Sequence, residues 1–200
     1  MEAVAEKKYT KEEYFELQEQ SDIKLEYHNG LIIEAMAGGS ANHSRIQTDL
    51  TVLLASGEHH CHAFNSDMAI GIKEQNRYVY PDLSFVCGED VFEDQKQRFL
   101  ANPCLIIEVI SPSTKDIDRG TKFSWYRSLT SFKEYVLIQS EEYGVESWYK
   151  EEEDLWRIQS AKSLDQSIYV HTLGMKVTLK DIYQRVDLSL KNNEAETRQD

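Results

Sequence analysis

Proline, cysteine and long apolar runs are all scarce in this chain, and each scarcity removes a class of protein. Three prolines in 200 residues leave no Pro-rich linker or extended spacer. No apolar run approaches the ~20 residues that a bilayer-spanning helix needs, and the N-terminal stretch lacks the apolar core of a secretory signal. The expectation is a soluble, cytoplasmic protein with no membrane partner. Three cysteines, Cys61, Cys87 and Cys104, are odd in number and far apart, mostly in apolar surroundings. That pattern predicts reduced core thiols rather than a disulfide framework or a zinc site. Bases are also in short supply: 22 Lys and Arg face 35 Asp and Glu, a formal net charge of −13. Affinity for a polyanion comes largely from Lys and Arg, so the balance weighs against nucleic-acid binding. The acids are unevenly spread, however. They crowd between Glu141 and Asp154, whereas Cys104 to Arg127 carries Lys115, Arg119, Lys122 and Arg127 against Glu108, Asp116 and Asp118.

What is present describes a folded globular chain: 40% of residues are hydrophobic and 10% aromatic. The length suits one domain. Residues 1–8 and 191–200 are polar, charged and without periodicity, and are expected to be frayed tails around a single domain spanning 9–190. Thr10 and Glu13 have the spacing of a capping box ahead of a short helix. Leu25 to Met36 reads as a hairpin turning at His28-Asn29-Gly30. Ser40 is placed to cap a helix with Ile46, Leu50, Leu53 and Leu54 at helical spacing. Strands are predicted at His62–Phe64, Asp67–Ile72, Val79–Val86, Leu105–Ile110, Tyr135–Gln139, Gly144–Tyr149 and Leu155–Ile158, with a helix over Asp116–Leu129. Ile168–Leu179 is weaker strand pattern, and Leu179–Arg185 a last short helix. The sum is one α/β or α+β domain.

The stretch Leu105 to Thr114, LIIEVISPST, holds a contradiction. Its aliphatic composition is that of a strand buried on both faces, yet Glu108 sits in the middle, and a buried carboxylate is costly unless paired. Alternation puts Ile106, Glu108 and Ile110 on one face. Upstream, Asp82 follows Pro81 at the start of another strand. Downstream, Asp118, Lys122 and Tyr126 recur at steps of four along one helix face. Two carboxylates on adjacent strands with a nearby lysine make a divalent-cation site. The acids are hard oxygen ligands suited to Mg²⁺ (or Mn²⁺), and the ammonium can orient an attacking water or stabilise developing negative charge.

The order hairpin, helix, Pro81-Asp82, Glu108-Val109-Ile110-Ser111-Pro112-Ser113-Thr114, then Asp118-Arg119 with Lys122 and Tyr126, resembles the Uma2 family of restriction-endonuclease-like proteins. That family is assigned to the PD-(D/E)xK nuclease superfamily, and the resemblance runs from about Tyr9 to Tyr183. It implies a restriction endonuclease-like fold, a central mixed β-sheet flanked by helices with the site where the sheet opens. It further implies a metal-dependent endonuclease hydrolysing phosphodiester bonds of nucleic acid, DNA by preference, working as a homodimer. Asp82 and Glu108 match the superfamily's metal-binding acids, and the Val109 carbonyl its backbone ligand. The pattern's lysine would fall at Ile110, so Lys122 from the next helix takes that part, with Tyr126 and Asp118 in support. Where the superfamily adds an acid from its first core helix, this chain offers His43, with Gln47 on the same face. His43 reads equally well as a half-buried histidine with a satisfied ring, and Glu26 either joins the site or pairs with Lys24 or Lys73.

A rival reading keeps the nuclease fold as a catalytically inactive binding or regulatory module, favoured by the −13 charge and by Ile110. The run His59-His60-Cys61-His62 invites a zinc assignment. Alternation leaves only His60 and His62 on one side, without a second pair.

Overall fold

The computed structural model describes residues 7–35, 39–112, 117–153, 155–186 and 188. The predicted tails, Met36 at the hairpin's end, and Ser113 to Asp116 fall wholly or mostly outside them. Helix α1 (Lys11–Gln20) begins with the expected capping box: Thr10 Oγ accepts from Glu13 N, and Glu13 Oε2 accepts from Thr10 N at 2.7 Å. Strands β1 (Leu25–His28) and β2 (Leu31–Glu34) form the hairpin. Its turn needs positive φ at both central residues, and Asn29 at 51° with Gly30 at 99° supply it. Helix α2 (Ala41–Ala55) is capped by Ser40, whose side chain accepts from His43 N.

Strands then dominate: β3 (Cys61–Asn65), β4 (Ala69–Ile72), β5 (Arg77–Val79), β6 (Leu83–Cys87), β7 (Phe99–Leu100) and β8 (Leu105–Ile110). A π-helical turn, Ile117–Lys122, leads into α3 (Phe123–Tyr126). After it come β9 (Glu134–Gln139), β10 (Val145–Lys150), β11 (Trp156–Ala161), β12 (Ser167–Val170), β13 (Met175–Thr178) and α4 (Leu179–Ile182). A six-stranded sheet is ordered β11-β10-β9-β8-β6-β3, a five-stranded one β2-β1-β5-β4-β7, and β12 pairs with β13. Both larger sheets are mixed: β8–β9 and β4–β7 are parallel, and the other pairs antiparallel. The architecture is α+β, with large mixed sheets and few helices.

Three departures from the sequence reading matter. The predicted strand Val79–Val86 is two strands in different sheets. Pro81 has no N–H to give a ladder, so the chain leaves β5 at Tyr80 and enters β6 after Asp82. The helix predicted from Asp116 opens as a wider π turn containing Gly120, a poor α former, before becoming α-helical. Finally, Cys61 and Cys87 are joined in a disulfide, and only Cys104 is a free thiol. Antiparallel pairing of β3 with β6 sets Cys61 directly opposite Cys87 with Cα atoms 4.0 Å apart, a proximity that a sequence separation of 26 conceals.

Strand β8 is central and buried at every position. Leu105, Ile107 and Val109 face a core with Ile46, Leu50 and Leu54 of α2; Ile106 and Ile110 face Trp125, Tyr126, Phe132 and Tyr135. Because β8 and β9 run parallel, the chain between them must cross over the sheet, and that crossover carries the π turn and α3 onto the face where Glu108 points. A third cluster, Tyr14, Tyr27, Tyr78 and Phe99, seats α1 on the smaller sheet. No helix among the described residues is long and apolar enough to cross a membrane.

Candidate active site

Asp82 lies where the two sheets part, and its carboxylate is fixed from both sides. Oδ2 accepts from the Val109 N–H at 2.7 Å, and Oδ1 lies 2.9 Å from His43 Nε2. Gln47, one turn along α2 from His43, donates to the Asp82 carbonyl at 2.8 Å. The capped start of α2 thus holds Asp82 against β8. The hydrogen bond to Asp82 raises the His43 pKa above its ordinary value, in spite of burial.

Glu108 is 3% exposed. Its Oε1 accepts from Lys122 Nζ and from the Tyr126 hydroxyl, each at 3.1 Å, whereas among the described residues Oε2 has only the long 3.4 Å contact from Asp82 N. Burial pushes the carboxyl up to about 8, with Asp82 and Asp118 adding to the rise and Lys122 offsetting part of it. Lys122 also bonds Asp118 Oδ1 at 3.0 Å. Desolvation pulls the ammonium down, but Glu108, Asp118 and Glu26 outweigh that and hold it above its usual value. Burial, then the charge of Glu108, raises the Tyr126 hydroxyl well above the ordinary phenol range, so it donates.

The structure therefore brings together Asp82, Glu108, Lys122, Tyr126, Asp118 and His43, the constellation expected from the sequence. Ile110 is fully buried in the apolar cluster, and it is Lys122 whose ammonium reaches Glu108. Glu26 stands next to the group. Oε1 accepts from Tyr80 N at 3.0 Å, and Oε2 meets His28 Nε2 at 2.8 Å, so neither Lys24 nor Lys73 is its partner. Burial raises Glu26, but His28, the Tyr80 N–H and Lys122 more than reverse this and leave it below its usual value.

Two neighbours were not legible in the sequence. Tyr135 donates its hydroxyl to the Asp118 carbonyl at 3.1 Å, pinning the π turn. Arg77 stacks on Trp125 at 4.1 Å, with His28 edge-on to the same ring. Both join a strand to the crossover segment between β8 and β9, a packing that leaves no local trace. The histidine-rich run holds nothing comparable: His59 meets the Leu54 carbonyl and His62 meets Asp90. Among the described residues no group of three or more His, Cys, Asp or Glu gathers to hold a metal ion. Asp82 and Glu108 supply two carboxylates, and among the described residues Glu108 Oε2 keeps spare acceptor capacity. A pair of carboxylates completed by water and a substrate phosphate is the set that Mg²⁺ takes.

Comparison with known proteins identifies the family. The family model "Uma2: Putative restriction endonuclease" matches residues 11–180. Uncharacterized protein slr1290 of Synechocystis sp. is 34% identical over 181 residues, covering 88% of this chain and 92% of that protein. Uncharacterized protein sll1609 of the same organism is 38% identical over 149 residues, covering 74% and 84%. A crystal structure described as a putative nuclease belonging to DUF820, from Anabaena variabilis, matches with a TM-score of 0.67 at 17% identity. It covers 86% of this chain and 96% of its own, so the two share a fold. The chain belongs to the Uma2 family of restriction-endonuclease-like proteins.

Proposed function

We propose that the protein is a metal-dependent endonuclease that hydrolyses phosphodiester bonds of nucleic acid, DNA by preference. The observation that carries this reading is Glu108: a carboxylate 3% exposed, beside Asp82 and Asp118, with Lys122 as its cationic partner. Asp82 and Glu108 would hold Mg²⁺ (or Mn²⁺), with the Val109 carbonyl as a backbone ligand. Such an ion lowers the pKa of a bound water and neutralises phosphate charge.

The remaining chemistry belongs to the chain. His43 and the Val109 N–H fix the Asp82 carboxylate. Tyr126 and Lys122 hold Glu108 Oε1, which leaves Oε2 turned toward Asp82. Lys122 orients the attacking water and stabilises the negative charge that develops on the phosphate. Asp118 keeps the ammonium in place. A homodimer follows from the same reading, since two sites related by a two-fold cut both strands of a duplex. The cytoplasm is the compartment that fits such a substrate.

The test is a cleavage assay over single- and double-stranded DNA and RNA, with and without Mg²⁺ or Mn²⁺. Asp82→Ala and Glu108→Ala are each expected to lower the rate by about 10²–10⁴-fold with circular dichroism unchanged; undiminished cleavage in both sinks the reading. The net charge of −13 favours the rival, an inactive binding or regulatory module. Calorimetric titration separates the two: the nuclease binds Mg²⁺ or Mn²⁺, and the rival binds neither.

A further inference from the structure

At the far end of the β6–β8 pair from the two acids lies a cluster of three sulfurs. The Cys61–Cys87 disulfide ties β3 to β6. Cys104, immediately before β8, is a free buried thiol whose Sγ lies 3.1 Å from Cys87 Sγ and 3.2 Å from the Phe85 carbonyl. A cavity of about 380 Å³ opens on this cluster, lined by Cys87 and Cys104 together with His60, Lys133 and His171. Nothing in the nuclease reading uses any of these groups.

We propose that Cys61, Cys87 and Cys104 form a thiol–disulfide exchange site, with the cavity admitting a small anionic thiol. Exchange needs a thiolate, a disulfide sulfur within reach, and access for a partner. Cys104, whose thiol burial raises while Lys133 offsets part of the rise, is the internal thiol, and Cys87, 3.1 Å away, the shared sulfur. Attack by the Cys104 sulfur forms a Cys87–Cys104 bond and breaks Cys61–Cys87. The electron pair leaves on Cys61, which takes up the proton that Cys104 gives up. No oxidant or reductant is consumed.

A small thiol entering the cavity attacks Cys87 by the same chemistry, forming a mixed disulfide there and breaking the Cys61–Cys87 bond. Cys61 leaves as a thiol that takes up the entering thiol's proton. A second molecule of the same thiol then releases Cys87 as a free thiol, and the two small thiols leave joined as a disulfide. Lys133 and the two histidines give the cavity its preference for a thiol bearing carboxylates. The internal exchange moves the crosslink from β3–β6 to β6–β8, the two strands that Asp82 precedes and Glu108 occupies. Disulfides in a reducing compartment are usually of this transient, redox-sensing kind.

The experiment is disulfide mapping on the full chain, quenched in acid and digested with pepsin at low pH so that no exchange follows the quench. Cys61→Ser removes the resident partner. After oxidation with glutathione disulfide this variant is expected to lose both iodoacetamide-reactive thiols and yield a Cys87–Cys104 linked peptide. Retention of two reactive thiols in a folded Cys61→Ser variant overturns the proposal. Should that variant not fold, the unsubstituted protein decides. Incubated with limiting reduced glutathione, it is expected to yield both Cys61–Cys87 and Cys87–Cys104 peptides and a glutathione adduct on Cys87. A Cys61–Cys87 peptide alone, with Cys104 fully alkylated and no adduct, rejects the site.

Discussion

Two glutamates are buried on neighbouring strands of the large sheet, and their surroundings differ in kind. Glu134, at the start of β9, is 0% exposed. Its Oε1 accepts from Ser147 Oγ at 2.7 Å and His171 N at 3.1 Å, and Oε2 from Thr172 N at 2.7 Å. Both oxygens are satisfied by neutral donors that are themselves buried or half-buried. Among the described residues Glu108, on β8, shares its space with Asp82 and Asp118, leans on one lysine, and leaves Oε2 with a single 3.4 Å contact. Burial of an acid is therefore not what distinguishes a site. The distinction lies in whether the acid's acceptors are filled, and whether its neighbours are donors or other acids.

The largest effect separates the two by stability. Glu134→Ala strands the His171 and Thr172 N–H groups and the Ser147 hydroxyl, each costing about 1–3 kcal/mol when left unsatisfied. A loss on the order of 5 kcal/mol is expected in urea titration, enough to unfold a domain of ordinary stability. A loss under about 1 kcal/mol would break the comparison, because Glu134 would then not be holding the β12–β13 turn to β9.

Next is the cation at the other glutamate. Lys122→Met leaves Glu108 and Asp118 buried without their ammonium, a change expected to cost about 3–5 kcal/mol. Measured above pH 8, where Glu108 is ionised, adding Glu108→Gln to Lys122→Met removes one of the stranded charges, so the double variant should recover part of that loss. Strict additivity in the double-mutant cycle would mean that the 3.1 Å contact carries no coupling.

The same comparison marks how far the sequence could be read. The hairpin at Asn29-Gly30, the Thr10 capping box and the Ser40 cap are local chemistry, and each is legible. Glu108 stands out because aliphatics surround it on both sides, and Lys122 and Tyr126 share its face through helical spacing. Glu134 does not stand out, since it opens its strand and its donors arrive from Ser147, His171 and Thr172, far along the chain. The Cys61–Cys87 disulfide and the division of Val79–Val86 into two sheets are likewise set by strand pairing. Pro81 was the one local sign of that division. Glu26 stayed open partly for the same reason: the Tyr80 N–H reaches it through the meeting of β1 and β5, although His28 lies two residues along its own strand.

A smaller effect sharpens the electrostatic side. With chelator present, the Glu108 carboxyl moves from an ordinary value of 4.5 to about 8 in the folded chain. The folded state therefore holds a proton that the unfolded chain has released. This contribution to stability is fully present below pH 4.5 and is lost as pH rises to about 8. Thermal denaturation of Glu108→Gln against wild type should show a shallower decline across that window. Parallel curves would mean that Lys122 keeps Glu108 ionised throughout.

The smallest effect concerns the acid between the two classes. Glu26 is 14% exposed at its side chain and, like Glu134, accepts from a backbone N–H, while its other oxygen meets the His28 ring nitrogen. Like Glu108, it faces Lys122. Glu26→Gln keeps an acceptor for the Tyr80 N–H and a partner for His28, and removes only the charge. Stability is expected to change by about 1 kcal/mol or less, and Mg²⁺ affinity by no more than a few-fold, measured by calorimetry on the same preparation. A loss as large as that of Glu134→Ala would class Glu26 with the structural glutamate. Abolished Mg²⁺ binding with stability intact would class it with Glu108 and add a third carboxylate to the site.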